Sequence, residues 1–218
     1  MLTNRIQELK KEIIEFATHV ENMINKSING LIKRDISLLN KVIVNDEPVT
    51  NKFELKIDAH CTNVIAQYQP TASDLRTILM IFKIGNDLER LGDEAVNISK
   101  SALFLVERPH IKIEGVDISR LAEESLSMLK DSISSFVNKN VQLANDVCLR
   151  DNIVDDYRDK SLKNLINYIR QYPSSVEQIQ HVITICRKLE RVADLSTNIC
   201  EDIIFMVEGK VIKHAFNQ

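Results

Sequence analysis

The sequence predicts an all-α protein made of two tandem, pseudo-symmetric three-helix bundles, and three observations predict it. Apolar residues recur in alternating steps of three and four along most of the chain, the spacing of a helix that buries one stripe. Helix breakers are scarce, with Gly 5 and Pro 4 in 218 residues, and no segment alternates with period two for long enough to make a strand. A hexapeptide also occurs twice: Leu88-Glu89-Arg90-Leu91-Gly92-Asp93 returns 101 positions later as Leu189-Glu190-Arg191-Val192-Ala193-Asp194. At the same offset Ile84 meets Ile185, and Asn97-Ile98 meets Asn198-Ile199, so the match runs through about four helical turns. An internal duplication explains it.

Each helix has its own grounds. Ile6, Leu9, Ile13, Phe16, Val20, Ile24 and Leu31 stripe a first helix from Leu2 to about Lys33. Asp35 can cap a second, running through Leu39, Val42, Ile57 and Ile65 with Pro48 inside it as a kink. Gln69-Pro70-Thr71 breaks the pattern, and a third helix runs from about Ala72 to Val106 before Pro109. The cycle then repeats. Leu121, Leu129 and Phe136 mark the fourth helix, Leu143, Val154 and Ile169 the fifth, and Val176, Leu189 and Ile199 the sixth, with Pro173 standing where Pro70 stood. The expected division is a first bundle at 1–108, a linker at 109–116 and a second bundle at 117–218.

Composition narrows function. With 28 basic and 31 acidic residues the formal charge is −3, and no helix gathers Lys and Arg on one side, which disfavours nucleic acid. No apolar run approaches the ~20 residues that span a bilayer, and Met1–Arg5 lacks a signal-peptide core, so a cytoplasmic location is expected. Cys61, Cys148, Cys186 and Cys200 are too dispersed for a metal knuckle and read as reduced, buried side chains, although Cys186 and Cys200 can share a helix face.

The duplicated acids carry the chemistry. Glu89, Asp93 and Asn97 step by four along the third helix, as Glu190, Asp194 and Asn198 do along the sixth. Like charges at that spacing repel by a few tenths of a kcal/mol unless something lies between them. Asp151 and Asp155 on the fifth helix have the same spacing, and a shift of 105 places Asp46 and Thr50 opposite them in the first half. Oxygen-only ladders of this kind suit magnesium, manganese or iron, with zinc also admissible. The competing reading is a solvated face in which the acids pair with Arg90, Arg191 and Lys188.

The two Leu-Glu-Arg-x-x-Asp segments, Asp74-Leu75-Arg76, the Asp151–Asp155 stretch and the tandem three-helix pattern together resemble the PhoU family of phosphate-signalling proteins, over almost the whole chain. The resemblance implies a cytoplasmic adaptor that represses the phosphate-starvation response, couples a phosphate ABC transporter to a membrane sensor histidine kinase, and restrains uptake. It also implies divalent or trivalent metal ions held by (Glu/Asp)-x-x-x-Asp pairs. These fall on Glu89 with Asp93, Glu190 with Asp194, and Asp151 with Asp155, while Asp46 with Thr50 would lack one carboxylate and make the first-half site the weaker one. A homodimer is left open, and membrane association is expected only through partners.

Two other readings compete. A di-metal carboxylate enzyme needs Glu-x-x-His pairs, and the one present, Glu107 to His110, contains Pro109 and lies in the linker. His19, His60, His181 and His214 stand outside the repeat and read as surface or packing residues. Arg76 is a weak candidate for phosphate because no Gly-rich turn adjoins it, and no nucleophile elbow or phosphate loop is present. An accessory subunit of a different phosphate transporter is the alternative within the same biology.

Overall fold

The computed structural model describes residues 1–209, and every regular element in it is helical. His214 and the end of the expected second bundle lie outside the described residues. The helices are α1 (Leu2–Lys33), α2 (Ile36–Lys41), α3 (Glu47–Tyr68), α4 (Ala72–Val106), α5 (Ile118–Asn138), α6 (Val141–Gln171) and α7 (Val176–Glu208).

The two halves begin alike because their caps are alike. Helix α1 ends with Arg34 in the left-handed conformation and the amide of Asp35 bonded to the carbonyl of Gly30 at 2.8 Å. Helix α5 ends with Lys139 left-handed and the amide of Asn140 bonded to the carbonyl of Ser135 at 3.0 Å. Each is a Schellman closure. The residue that completes it then caps the next helix: Asp35 accepts from the amide of Leu38 at 3.0 Å, and Asn140 from that of Leu143 at 3.1 Å.

After the caps the halves differ. Helix α6 runs unbroken, whereas its counterpart is interrupted by a π-helical turn at Val42–Asp46 that joins α2 to α3. The expected kink therefore lies one turn ahead of Pro48, which sits in the first turn of α3. A proline ring clashes with the carbonyl four residues earlier, here that of Val44, and the wider π turn is where this carbonyl moves aside. Asp35 and Asn140 are 105 positions apart, while the hexapeptides beyond are 101 apart. The first half thus carries four additional residues, placed in the α2 and π-turn segment.

Helices α4 and α7 occupy the centre. Helix α4 packs on α1, α3 and α7, and α7 packs on α4, α5 and α6. Lys83 of α4 reaches Asp202 of α7 at 3.0 Å and Glu94 reaches Lys188 at 2.9 Å, so the two run antiparallel. Ile84, Leu88 and Leu91 belong to one continuous buried cluster with Ile185, Leu189 and Val192, so the two bundles share a core. Burying each such side chain stabilises the fold by about 1.5–3 kcal/mol. The linker is held at three points: Arg34 donates to the carbonyls of Val106 and Arg108, Gln178 to that of Pro109 at 3.0 Å, and Asn164 to that of Gly115 at 3.1 Å.

The cysteines are free and buried, as expected. Burial pushes the thiols of Cys61 and Cys186 up to about 12, which leaves them protonated. Cys200 finds its sulfur neighbour in Cys148 of α6 rather than in Cys186.

Candidate cation-binding acidic faces

Helices α6 and α7 bring Asp151, Asp155, Glu190 and Asp194 within reach of one another. Burial, followed by the fields of Asp194, Asp155 and Glu190, pushes the Asp151 carboxyl up to about 6. One of its oxygens, Oδ1, is buried and has no hydrogen-bond partner. Glu190 is likewise raised, first by burial and then by Asp194, with Arg158 pulling it back.

Two arginines partly neutralise this face. The guanidinium of Arg158 donates to Glu190, lies 3.2 Å from Asp155 and bonds Asp159 at 3.0 Å. Arg191 pairs with Asp194 at 2.8 Å. Of the pairing residues expected from sequence, only Arg191 serves here, because Lys188 is taken by Glu94 and Arg90 turns to Asp87 at 3.1 Å. Arg158 carries no signal in the repeat, although its position three residues beyond Asp155 on a helix is that of an ion-pair partner.

The first half requires a correction. Asp46 does not join Glu89 and Asp93: it is buried, salt-bridged to Lys26 at 2.7 Å, and its carbonyl accepts from His19 at 3.0 Å. Thr50 points into the core, its hydroxyl against Met23 and its methyl against Gly92, where an added Cβ would come within 2.7 Å. The acid that acts on Glu89 is Glu54, since Glu89 is raised by burial, then by Asp93 and Glu54. Asp58 follows Glu54 by four residues with its Oδ1 buried and unpartnered, but its field falls on Cys61 and the register of 101 sets it opposite Asp159. Sequence reasoning missed Glu54. Extending the hexapeptide offset of 101 to α3 places Asp155 on Glu54 and Asp151 on Thr50. The shift of 105 holds at the caps and fails past the four-residue insertion.

Asn198 parts company with its ladder. Asn198 lines a shallow cleft of about 290 Å³ between α4 and α7 with Lys83, Asp87 and Arg90, and Asn97 is half-buried one turn past Asp93. Histidines serve elsewhere: His60 lies 3.0 Å from Glu12, and His181 stacks on Phe104 at 3.9 Å between ring centres.

Among the described residues, no group of three or more His, Cys, Asp or Glu side chains is drawn together as a metal shell. The donor chemistry nevertheless fits a hard cation. Each half has oxygen donors at helical spacing, with Glu89 raised in the first and Asp151 and Glu190 in the second, and Asp151 leaves one buried carboxylate oxygen unsatisfied.

Comparison with known proteins agrees with this duplicated architecture. A PhoU domain model matches residues 13–102 and again 118–203. The phosphate-specific transport system accessory protein PhoU homolog of Aquifex aeolicus is 35% identical over 213 residues, covering 98% of this chain and 96% of the relative. The PhoU accessory protein of Escherichia coli K12 is 29% identical, covering 96% of this chain and 86% of its own. Among solved structures, PhoU from Pseudomonas aeruginosa superposes with a TM-score of 0.92 at 29% identity, covering 96% of this chain and all of that one. The phosphate transport system regulatory protein PhoU from Streptococcus pneumoniae gives 0.89 at 26% identity, covering 97% and 99%.

Proposed function

This chain belongs to the PhoU family, and from that premise we propose that it is an accessory protein of phosphate transport that works by contact rather than catalysis. It holds a phosphate ABC transporter and a sensor histidine kinase in the repressing state when phosphate is plentiful, and it restrains uptake. It acts from the cytoplasm and meets the membrane through its partners. No described helix is long and apolar enough to cross a bilayer, which is compatible with that placement.

The observation that carries the reading is the pair of acidic faces on a shared helical core, with Glu89 raised by Asp93 and Glu54 in one, and Asp151 raised and leaving a buried carboxylate oxygen unsatisfied in the other. A divalent or trivalent ion is the natural partner for such a face. Glu54, Glu89 and Asp93 would hold it in the first half, and Asp151, Asp155, Glu190 and Asp194 in the second. Bound there, an ion supplies positive charge that relieves the repulsion within each ladder and offers open coordination positions to a partner's acidic or phosphorylated group. The protein's part is to hold the acids in register.

Deletion of the gene tests the assignment. Phosphate-starvation genes are expected to stay expressed in phosphate-rich medium, and the combined Glu54→Ala and Asp93→Ala substitutions are expected to reproduce part of that defect. Normal repression after deletion, or turnover of phosphate esters by the purified protein, would overturn it.

A further inference from the structure

We propose that Arg158 is a built-in cation that competes with metal for the second-half acids, so that the two halves load unequally and the second fills only when Arg158 is displaced. The inference rests on the metal reading above and adds an order to it.

Arg158 is 22% exposed in its side chain and spends its N–H groups on Asp155, Asp159 and Glu190. Two of these three acids are the ones an ion would use. The guanidinium holds Oδ1 of Asp155 and Oε1 of Glu190 and fixes a positive charge beside both carboxylates, so an arriving cation meets repulsion from Arg158 as well as competition for these two oxygens.

The first half has no such competitor. The register that pairs Asp155 with Glu54 pairs Arg158 with Ile57, a fully buried side chain packed against Gly85. Arg90, the counterpart of Arg191, is turned to Asp87. Among the described residues Glu54, Glu89 and Asp93 make no ion pair. An arriving cation therefore meets bare carboxylates in the first half and an occupied face in the second.

Displacement has a defined landing place. Asp159 is on the same helix, more than half exposed, and already bonded to Nε of Arg158 at 3.0 Å. Releasing Glu190 and Asp155 swings the guanidinium outward on Asp159 without stranding its charge. Occupancy of the second site thereby becomes a change in the charge pattern of the α6 surface.

Titration of metal-free, full-length protein with Mn²⁺ tests this, with ions counted by native mass spectrometry and affinities read by calorimetry. The wild type is expected to load in two steps separated by roughly tenfold or more in concentration. Arg158→Gln should bring the second step to within about threefold of the first, and Arg158→Lys, which keeps the charge, should retain most of the gap. In Glu54→Gln/Asp93→Asn protein only the later, Arg158-dependent step should remain. Circular dichroism checks that each variant stays helical. If Mn²⁺ binds the first half but Arg158→Gln leaves the second step unmoved, the competition is refuted while the metal reading survives. Absence of Mn²⁺ binding from the wild type and from both Arg158 variants overturns both.

Discussion

The first half of the molecule leaves its acids bare, and the second half brings arginines to them. Glu54, Glu89 and Asp93 repel one another without an ion pair among them, whereas Glu190, Asp155 and Asp194 are each met by Arg158 or Arg191. Backbone register is the same in both, since α3 packs on α4 as α6 packs on α7, yet the charge balance is opposite. The lesson concerns duplication: packing holds the helices in place, and a single register position, filled by the buried Ile57 in one half and by Arg158 in the other, decides whether the site must look outside the chain for its cation.

Removing the acids half by half should separate the two faces most strongly. Glu54→Ala with Asp93→Ala should weaken the tightest Mn²⁺ binding by tenfold or more, about 1.4 kcal/mol, while Asp151→Ala with Asp194→Ala should leave that step nearly unchanged. Calorimetric titration separates the outcomes, and equal losses would mean the halves are equivalent after all.

Packing offers the next contrast. A Cβ at Gly92 would lie 2.7 Å from the Thr50 methyl, so Gly92→Ala should cost about 1–3 kcal/mol by overpacking and be rescued by Thr50→Ala. The second half carries Ala193 at the equivalent place, and Ala193→Gly should cost only about 1 kcal/mol, from helix propensity. Urea denaturation midpoints measure both.

Asp151 gives a dependence on pH confined to the second half. Its folded-state value of about 6 stands above the ordinary 3.8, burial being the main cause. Ionising it therefore opposes folding: the penalty is absent below about pH 3.8, grows through that window and is complete above about pH 6. Asp151→Asn should stabilise metal-free protein at pH 7 by about 1 kcal/mol, discounted because the group is partly solvated, and the gain should vanish towards pH 4. A gain independent of pH would show that ionisation of Asp151 is not its source. At the small end, Arg90→Ala should shift stability by only a few tenths of a kcal/mol, since the Arg90–Asp87 pair is exposed on the arginine side and three residues apart.

Much of this was legible in the residues themselves. Apolar stripes located the helices because each buries one face, and Asp35 announced its helix because a short acidic side chain can satisfy a free amide. The second-half acids were legible for a simpler reason: α6 is uninterrupted, so spacing of four residues translates directly into a shared face. Glu54 was hidden by the insertion, which shifts the register without changing the apolar pattern on either side. Arg158 was hidden because only packing shows that α6 presents it to Glu190. Family membership and the helical fold agree with the sequence reading, whereas the placing of Asp46 and Asn198 in the ladders does not.

The π turn at Val42–Asp46 has a consequence for how this chain can change length. An α-helix behaves as a screw, so adding or removing one residue turns everything downstream by about 100°. In a helix that must present Glu54 on one side and bury Ile57 on another, such an edit would be ruinous. The loosened turn supplies slack between the cap at Asp35 and the working stretch of α3, so the four surplus residues of the first half are taken up before the thread engages α4. Length can therefore drift at 42–46 while the phase of the acids is kept, and the same edit beyond Glu47 would turn the carboxylates towards the core.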